Sequence, residues 1–207
     1  MKKIFTTIII VLGVYSASFA QQQKGDVELG INTGLNSSTV FNDGYGNSSY
    51  RTGFNFGLAA DLYFSNRWSI KGKFIYDQKG WNSGVFIEKN GVATLTNYHL
   101  NYLTVPVMAN WHFGKTRNWY LNFGPYAGFL TDANETAFNN SLKPFFKSTD
   151  FGIALGIGVK IPLSDKVKLN LEYEGQGGIS DLGNEYSGSA IRNSRGSLNV
   201  GFNFMLK

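Results

Sequence analysis

Between 151 and 161, Phe151, Ile153, Leu155, Ile157, Val159 and Ile161 alternate with Gly152, Ala154, Gly156, Gly158 and Lys160. Successive side chains of a strand point to opposite faces, so this segment reads as a strand with one greasy face and one small or polar face. The same period of two recurs at 26–36, 53–64, 67–78, 99–113, 118–130, 166–176 and 196–206, which with 149–161 makes eight predicted strands. Connectors alternate as well. Ser65 and Asn66, Gly114 to Arg117, and Pro162 to Asp165 are short and carry turn chemistry. By contrast 37–52, 79–98, 131–148 and 177–195 are long, rich in Asn, Ser, Gly and Asp, and read as loops. Tight reversals at one end and loose ones at the other predict an all-β fold, an eight-stranded antiparallel up-and-down transmembrane β-barrel. An even strand count places both termini at the short-turn, periplasmic end and the long loops outside the cell.

The outward series are apolar, and their aromatic members gather at two levels. Phe64, Trp68, Trp111, Phe113 and Trp119 lie beside the short turns; Tyr76, Trp81, Phe129, Phe151 and Tyr173 lie beside the long ones. Rings at both ends of an apolar band are expected to anchor at the two membrane interfaces. The opposite parity places Glu28, Asp61, Lys71, Lys73, Asp77, His112, Lys160, Lys168, Glu172 and Glu174 inside, with Asn32, Asn55, Asn110, Asn122, Asn170, Asn199 and Asn203. An eight-stranded barrel is just wide enough for side chains to fill, and buried charges must pair, so these residues are expected to form a salt-bridged plug. A narrow polar path for small or hydrophobic solutes is the alternative use of the same residues. Inward glycines are expected to serve close packing and strand curvature.

Residues 1–20 read as an export signal, with Lys2 and Lys3 followed by an apolar run over Ile4–Val14 and the small residues Ser18 and Ala20 before Gln21. The expected domain is then the barrel, 21–207. Without those two lysines the net charge falls from +5 to +3, and the remaining basic residues are scattered, so nucleic acid is not an expected partner. Cysteine is absent, which excludes disulfides, thiolate metal sites and acylation at the cleavage point. Beyond the signal, no apolar run is long enough for a helical span.

Catalytic chemistry finds little footing. His99 lies near the outer rim with outward parity, close in sequence to Thr96, Ser83 and Glu88, but no spacing fixes them as a triad for an outer-leaflet lipid hydrolase. Asp43 and Asp150 lack calcium-loop spacing, and Gly156 and Gly158 sit within a strand rather than before a helix. No enzyme activity, metal or cofactor is expected.

Tyr102, Leu103, Thr104, Val105 and Pro106, an aromatic-rich turn around Gly114, and Asn122 to Tyr126 with Gly128 resemble the PorT-like family of outer-membrane β-barrel proteins from Bacteroidetes. The likeness continues through Asp150 to Gly158 and Leu171, Glu172 and Tyr173. Pro106 is expected inward, and Gly124 with Pro125 reads as a bulge. The resemblance implies an outer-membrane barrel, reached after export with help from the barrel-assembly machinery, and a founding member associated with type nine secretion. The C-terminal Phe202, Phe204, Met205, Leu206 and Lys207 differ from the usual terminal aromatic recognised during assembly. The expected role is a structural or interaction component, monomeric, surrounded by outer-membrane lipids and meeting a protein partner through its long loops.

Overall fold

The computed structural model describes residues 22–42, 48–87, 91–183 and 190–206; the expected signal, 1–20, lies outside them. Eight strands follow in chain order: β1 Val27–Asn42, β2 Ser49–Tyr63, β3 Trp68–Ile87, β4 Ala93–Phe113, β5 Trp119–Glu135, β6 Thr149–Pro162, β7 Val167–Gly178 and β8 Ile191–Met205. Each pairs antiparallel with the next, and β8 returns to β1 from Glu28 opposite Met205 to Asn42 opposite Ile191, closing the barrel. Closure leaves no free edge through the body of the wall.

Two short turns share one device. The Ser65 hydroxyl accepts from the Trp68 amide at 3.0 Å, and the Ser164 hydroxyl accepts from the Val167 amide at 3.1 Å. Between β4 and β5, Gly114 and Arg117 take left-handed backbone at φ 83° and 55°.

The long-loop end differs from the sequence reading. The segment 79–98 is mostly a paired ribbon, in which Lys79 faces Leu100, Trp81 faces Tyr98, Val85 faces Leu95 and Ile87 faces Ala93. Ser83 at φ 59° and a register shift between Trp81 and Gly84 interrupt the alternation there, so a strand rich in Asn, Ser and Gly looked like a loop. β1, β2, β5 and β8 likewise run beyond their expected outer ends. At ~3.3 Å per residue and a tilt of ~40°, the outer parts of β3 and β4 stand well clear of a ~25 Å apolar band.

No register shift occurs at Gly124 and Pro125, which pair in sequence with Ala154 and Ile153, so the expected bulge is absent. Gly124 meets a different need: a Cβ there would run into the Val107 carbonyl of the neighbouring strand. Gly158 is similar, because the Tyr120 ring occupies the place of its missing side chain. Pro106 faces inward, opposite Tyr126.

The distribution of polarity is inverted relative to a protein folded in water. Leu35, Phe54, Leu58, Phe74, Leu155 and Leu198 are exposed on the outer wall, while lysines and carboxylates fill the inside.

Candidate functional site: a cross-bore ion ladder under an apolar cap

Six bases and six acids inside the barrel form one chain of alternating charge. From the short-turn end, Lys168 lies 3.0 Å from Glu28, Glu28 pairs with Lys160, and Lys160 is 2.8 Å from Asp61. Lys71 bridges Asp61 and Glu172 at 3.6 Å each, Lys73 pairs with Glu172, and Lys73 is 2.6 Å from Glu174. Arg195 joins Glu174 at 3.3 Å to Asp77 at 3.1 Å, and Lys79 continues to Asp150 at 3.3 Å. In a ring of eight, β2 faces β6 and β3 faces β7, so Lys160 to Asp61 and Lys73 to Glu174 span the bore instead of running along the wall.

Neutral groups complete each carboxylate. Asp61 accepts from the Ser69 hydroxyl at 2.8 Å and Asn110 at 3.0 Å; Glu172 accepts from the Tyr120 hydroxyl at 2.7 Å; Glu28 accepts from Asn203 at 2.6 Å. Asp77 takes Asn36 at 2.8 Å, and Asp150 takes Asn193 at 2.8 Å and the Tyr126 hydroxyl at 3.1 Å. The Lys71 ammonium sits 4.0 Å over the Tyr120 ring, a cation held against a π face. Buried charge is tolerated only when paired and hydrogen-bonded, and these groups are both.

All nine residues expected in the interior network, Glu28, Asp61, Lys71, Lys73, Asp77, Lys160, Lys168, Glu172 and Glu174, are buried here. Lys79, Asp150 and Arg195 belong with them and were missed. Lys79 and Arg195 fell in segments read as loops, although the odd numbering of Lys71, Lys73, Asp77 and Lys79 was a usable signal. His112 is also inside, with Nε2 3.1 Å from Asn110 Nδ2 and 3.4 Å from Ser69 Oγ.

Above the ladder the filling turns apolar. Val40, Trp81, Leu100, Tyr102, Leu130, Ala133, Leu142, Phe146 and Leu182 form a buried cluster at the long-loop mouth. Trp81 stacks on Tyr98 at 4.4 Å and meets Phe146 edge-on at 6.1 Å. This corrects the expectation that Trp81 anchors in the membrane interface: its odd position on β3 turns it inward. Leu142 and Phe146 come from the connector between β5 and β6, and Leu182 from that between β7 and β8. The two connectors are tied by Lys147 N donating to Leu182 O at 2.8 Å, and Leu182 N in turn donates to Ile191 O at the start of β8, also at 2.8 Å.

Two carboxylates hold this outer layer. Glu135 accepts from the amides of Ala137 at 2.7 Å and Asn140 at 2.9 Å and from the Thr96 hydroxyl at 2.9 Å. Burial pushes its carboxyl up, but these donors outweigh that and hold it below its ordinary value. Asp181 accepts from the amides of Ile191 at 2.8 Å and Gly183 at 3.1 Å and lies 3.6 Å from Lys147. Burial again acts upward, and the amides with Lys147 win downward.

The remaining interface aromatics, Phe64, Trp68, Trp111, Phe113, Trp119, Tyr76, Phe129 and Tyr173, face outward, and Trp68 stacks on Trp111 at 6.2 Å. His99 faces outward while Thr96 turns inward to Glu135, so the weighed triad is not brought together; Glu88, like Asp43, lies outside the described residues. Among the described residues, no three His, Cys, Asp or Glu side chains gather in a way that could hold a metal ion.

Residues 19–184 match the family model described as the outer membrane protein beta-barrel domain. The chain belongs to this family. A search of curated proteins finds no match. Among solved structures, this outer-membrane β-barrel protein is similar to AlkL in lipid bilayers, at 12% identity, covering 93% of this chain and 95% of that one, with a TM-score of 0.54. It is similar to OprG from Pseudomonas aeruginosa, at 14% identity, 90% and 98% coverage and a TM-score of 0.53. Neisserial surface protein A gives 14%, 86%, 96% and 0.52 in the same order. At these identities the likeness is one of fold. The protein resides in the bacterial outer membrane, which assigns the greasy wall to lipid and the ladder to the lumen.

Proposed function

We propose that this protein is a closed outer-membrane scaffold whose bore is a brace, not a passage, and whose function is to hold an extracellular binding surface. The observation that carries this reading is the alternating ion ladder crossing the lumen beneath the apolar cap. An ion entering from either side would have to break paired charges and part a packed layer of Trp81, Leu100, Leu142 and Phe146.

The surface it presents is the β3–β4 ribbon. Its outward face turns polar at Gln78, Asn101, His99, Asn82 and Asn97, then apolar again at Val85, Leu95 and Ile87, which are 52%, 72% and 68% exposed. An apolar patch separated from the membrane band by polar residues marks a protein contact. The PorT-like resemblance makes a secretion component the first partner to test. Export directed by residues 1–20 is proposed to be followed by cleavage after Ala20 and then by insertion by the barrel-assembly machinery.

Planar-bilayer recording of the purified protein tests the closed bore. No stable conductance is the expected result, and a steady open channel overturns the reading in favour of solute transport.

A further inference from the structure

The lipid-facing wall is not uniformly padded. Across β1, β8, β7 and β6, one register row consists of Thr33, Val200, Leu171 and Val159, with Trp119 next on β5. The row above it, Leu35, Leu198, Tyr173 and Ile157, is longer, and between them runs an apolar trough of about 770 Å³ with Trp119 at one end and Phe54 at the other. A second hollow of about 440 Å³ opens beyond Tyr173, over Ser37, Gly196, Gly175, Gly177 and Ser194, with Tyr50 at its rim. Tyr173 lines both hollows. Each has the size of a small-molecule site, roughly 300–1,000 Å³.

Height fixes what meets them. Counting from Val167, Gly175 stands ~20 Å up the membrane normal and Leu171 ~10 Å, for a rise of ~3.3 Å per residue and a tilt of ~40°. The serine-bearing hollow therefore lies at the outer edge of the hydrocarbon band, and the trough descends from it into the interior of the membrane. Above Ser194, on the same outward parity of β8, stands Arg192. From outside inward the wall carries an arginine, then hydroxyls beside the open backbone of Gly175, and then a trough lined mainly by hydrocarbon. That order is the mirror of a phosphate-bearing lipid, and the site is continuous with the membrane contact already assigned.

From this order and placement we infer that the β6–β7–β8–β1 wall is a binding site for one phosphate-bearing lipid of the outer leaflet. An acyl chain lies in the trough past Tyr173, the ester region rests on Gly175 between the Tyr173 hydroxyl and Ser194, and the phosphate faces Arg192. Glycine at 175 leaves the carbonyl edge of the wall bare, while the Tyr173 hydroxyl lies over Gly196, so a polar linkage approaches the wall at Gly175 more closely than at Phe54 or Leu155 and meets that hydroxyl beside it.

Native mass spectrometry of the protein drawn from its own membranes in mild detergent tests the site. Barrel closure is checked by the heat-dependent gel shift. The expected result is one retained lipid in the unaltered protein, about tenfold less in Val200→Trp, which fills the trough, and full retention in Val107→Trp on the opposite wall. Absence of a retained lipid, equal retention in Val200→Trp, or a second copy of the chain in place of the lipid each overturns the inference. After delipidation, titration with dimyristoyl phosphatidylglycerol and with dimyristoylglycerol reads the headgroup. Preference for the former, lost in Arg192→Ala, supports the phosphate contact, and an unchanged preference overturns that part.

Discussion

The ammonium of Lys160 on β6 lies 2.8 Å from the carboxylate of Asp61 on β2, a bond that reaches from one side of the barrel to the other. Removing the base would leave Asp61 and Glu28 short of their shared counter-charge in a dry interior. Lys160→Met is expected to cost about 3–5 kcal/mol, because a buried charge loses its partner. Urea unfolding in lipid vesicles measures this; a loss under about 1 kcal/mol, the scale of a surface pair, would mean that the lumen is wet enough to screen the ladder.

Trp81 provides a second test, since the two readings of its role differ in location. As part of the cap, Trp81→Ala is expected to cost about 3–5 kcal/mol and to speed hydrogen exchange at Leu142, Phe146 and Leu182. Trp111→Ala at the membrane boundary should leave those amides protected. Quenching of Trp81 fluorescence by brominated lipid would contradict its place in the cap.

Acid acts on the outer layer through two carboxylates. The carboxyls of Glu135 and Asp181 are lowered in the folded protein, so their support is complete above the unfolded values of about 4.3 and 3.9. It disappears as pH falls through the folded values. Exchange of the amides of Ala137, Asn140, Gly183 and Ile191 should therefore stay slow at pH 5 and rise only in stronger acid, after the expected change in intrinsic rate is removed. A rise between pH 7 and 5 would contradict the lowered carboxyls.

The ribbon patch should be separable from the barrel. Val85→Asp with Leu95→Asp is expected to abolish capture of the extracellular partner from native membranes while shifting stability by less than about 0.5 kcal/mol, as for surface positions. Equal capture by the doubly substituted protein would place the contact elsewhere.

Much of this architecture is written in period two. Phe151 to Ile161 identifies a strand and its lipid face, and the parity of Lys71, Lys73, Lys160, Glu172 and Glu174 assigns them to the inside. Which residues meet across the bore is not legible in that way. Parity names a face, whereas the meeting of Lys73 with Glu174 depends on strand stagger and closure, properties of the ring as a whole. Lys79, Arg195 and Trp81 were obscured for a local reason. They lie in Asn-, Ser- and Gly-rich stretches, and beyond Trp81 a register shift also breaks alternation, so composition argued for loops where pairing continues. The cap was invisible for a further reason, because Leu142, Phe146 and Leu182 stand in connectors with no periodicity to report their direction.

Cross-bore pairing also constrains how the molecule comes into being. The bases on β3 are made before the carboxylates on β7 with which they pair, and Glu28 on β1 waits for Lys160 and Lys168. An early hairpin left alone in hydrocarbon would carry naked lysines, so the opening strands must be kept in a hydrated setting until the last ones arrive. Sealing of the ring and neutralisation of its contents then become a single event.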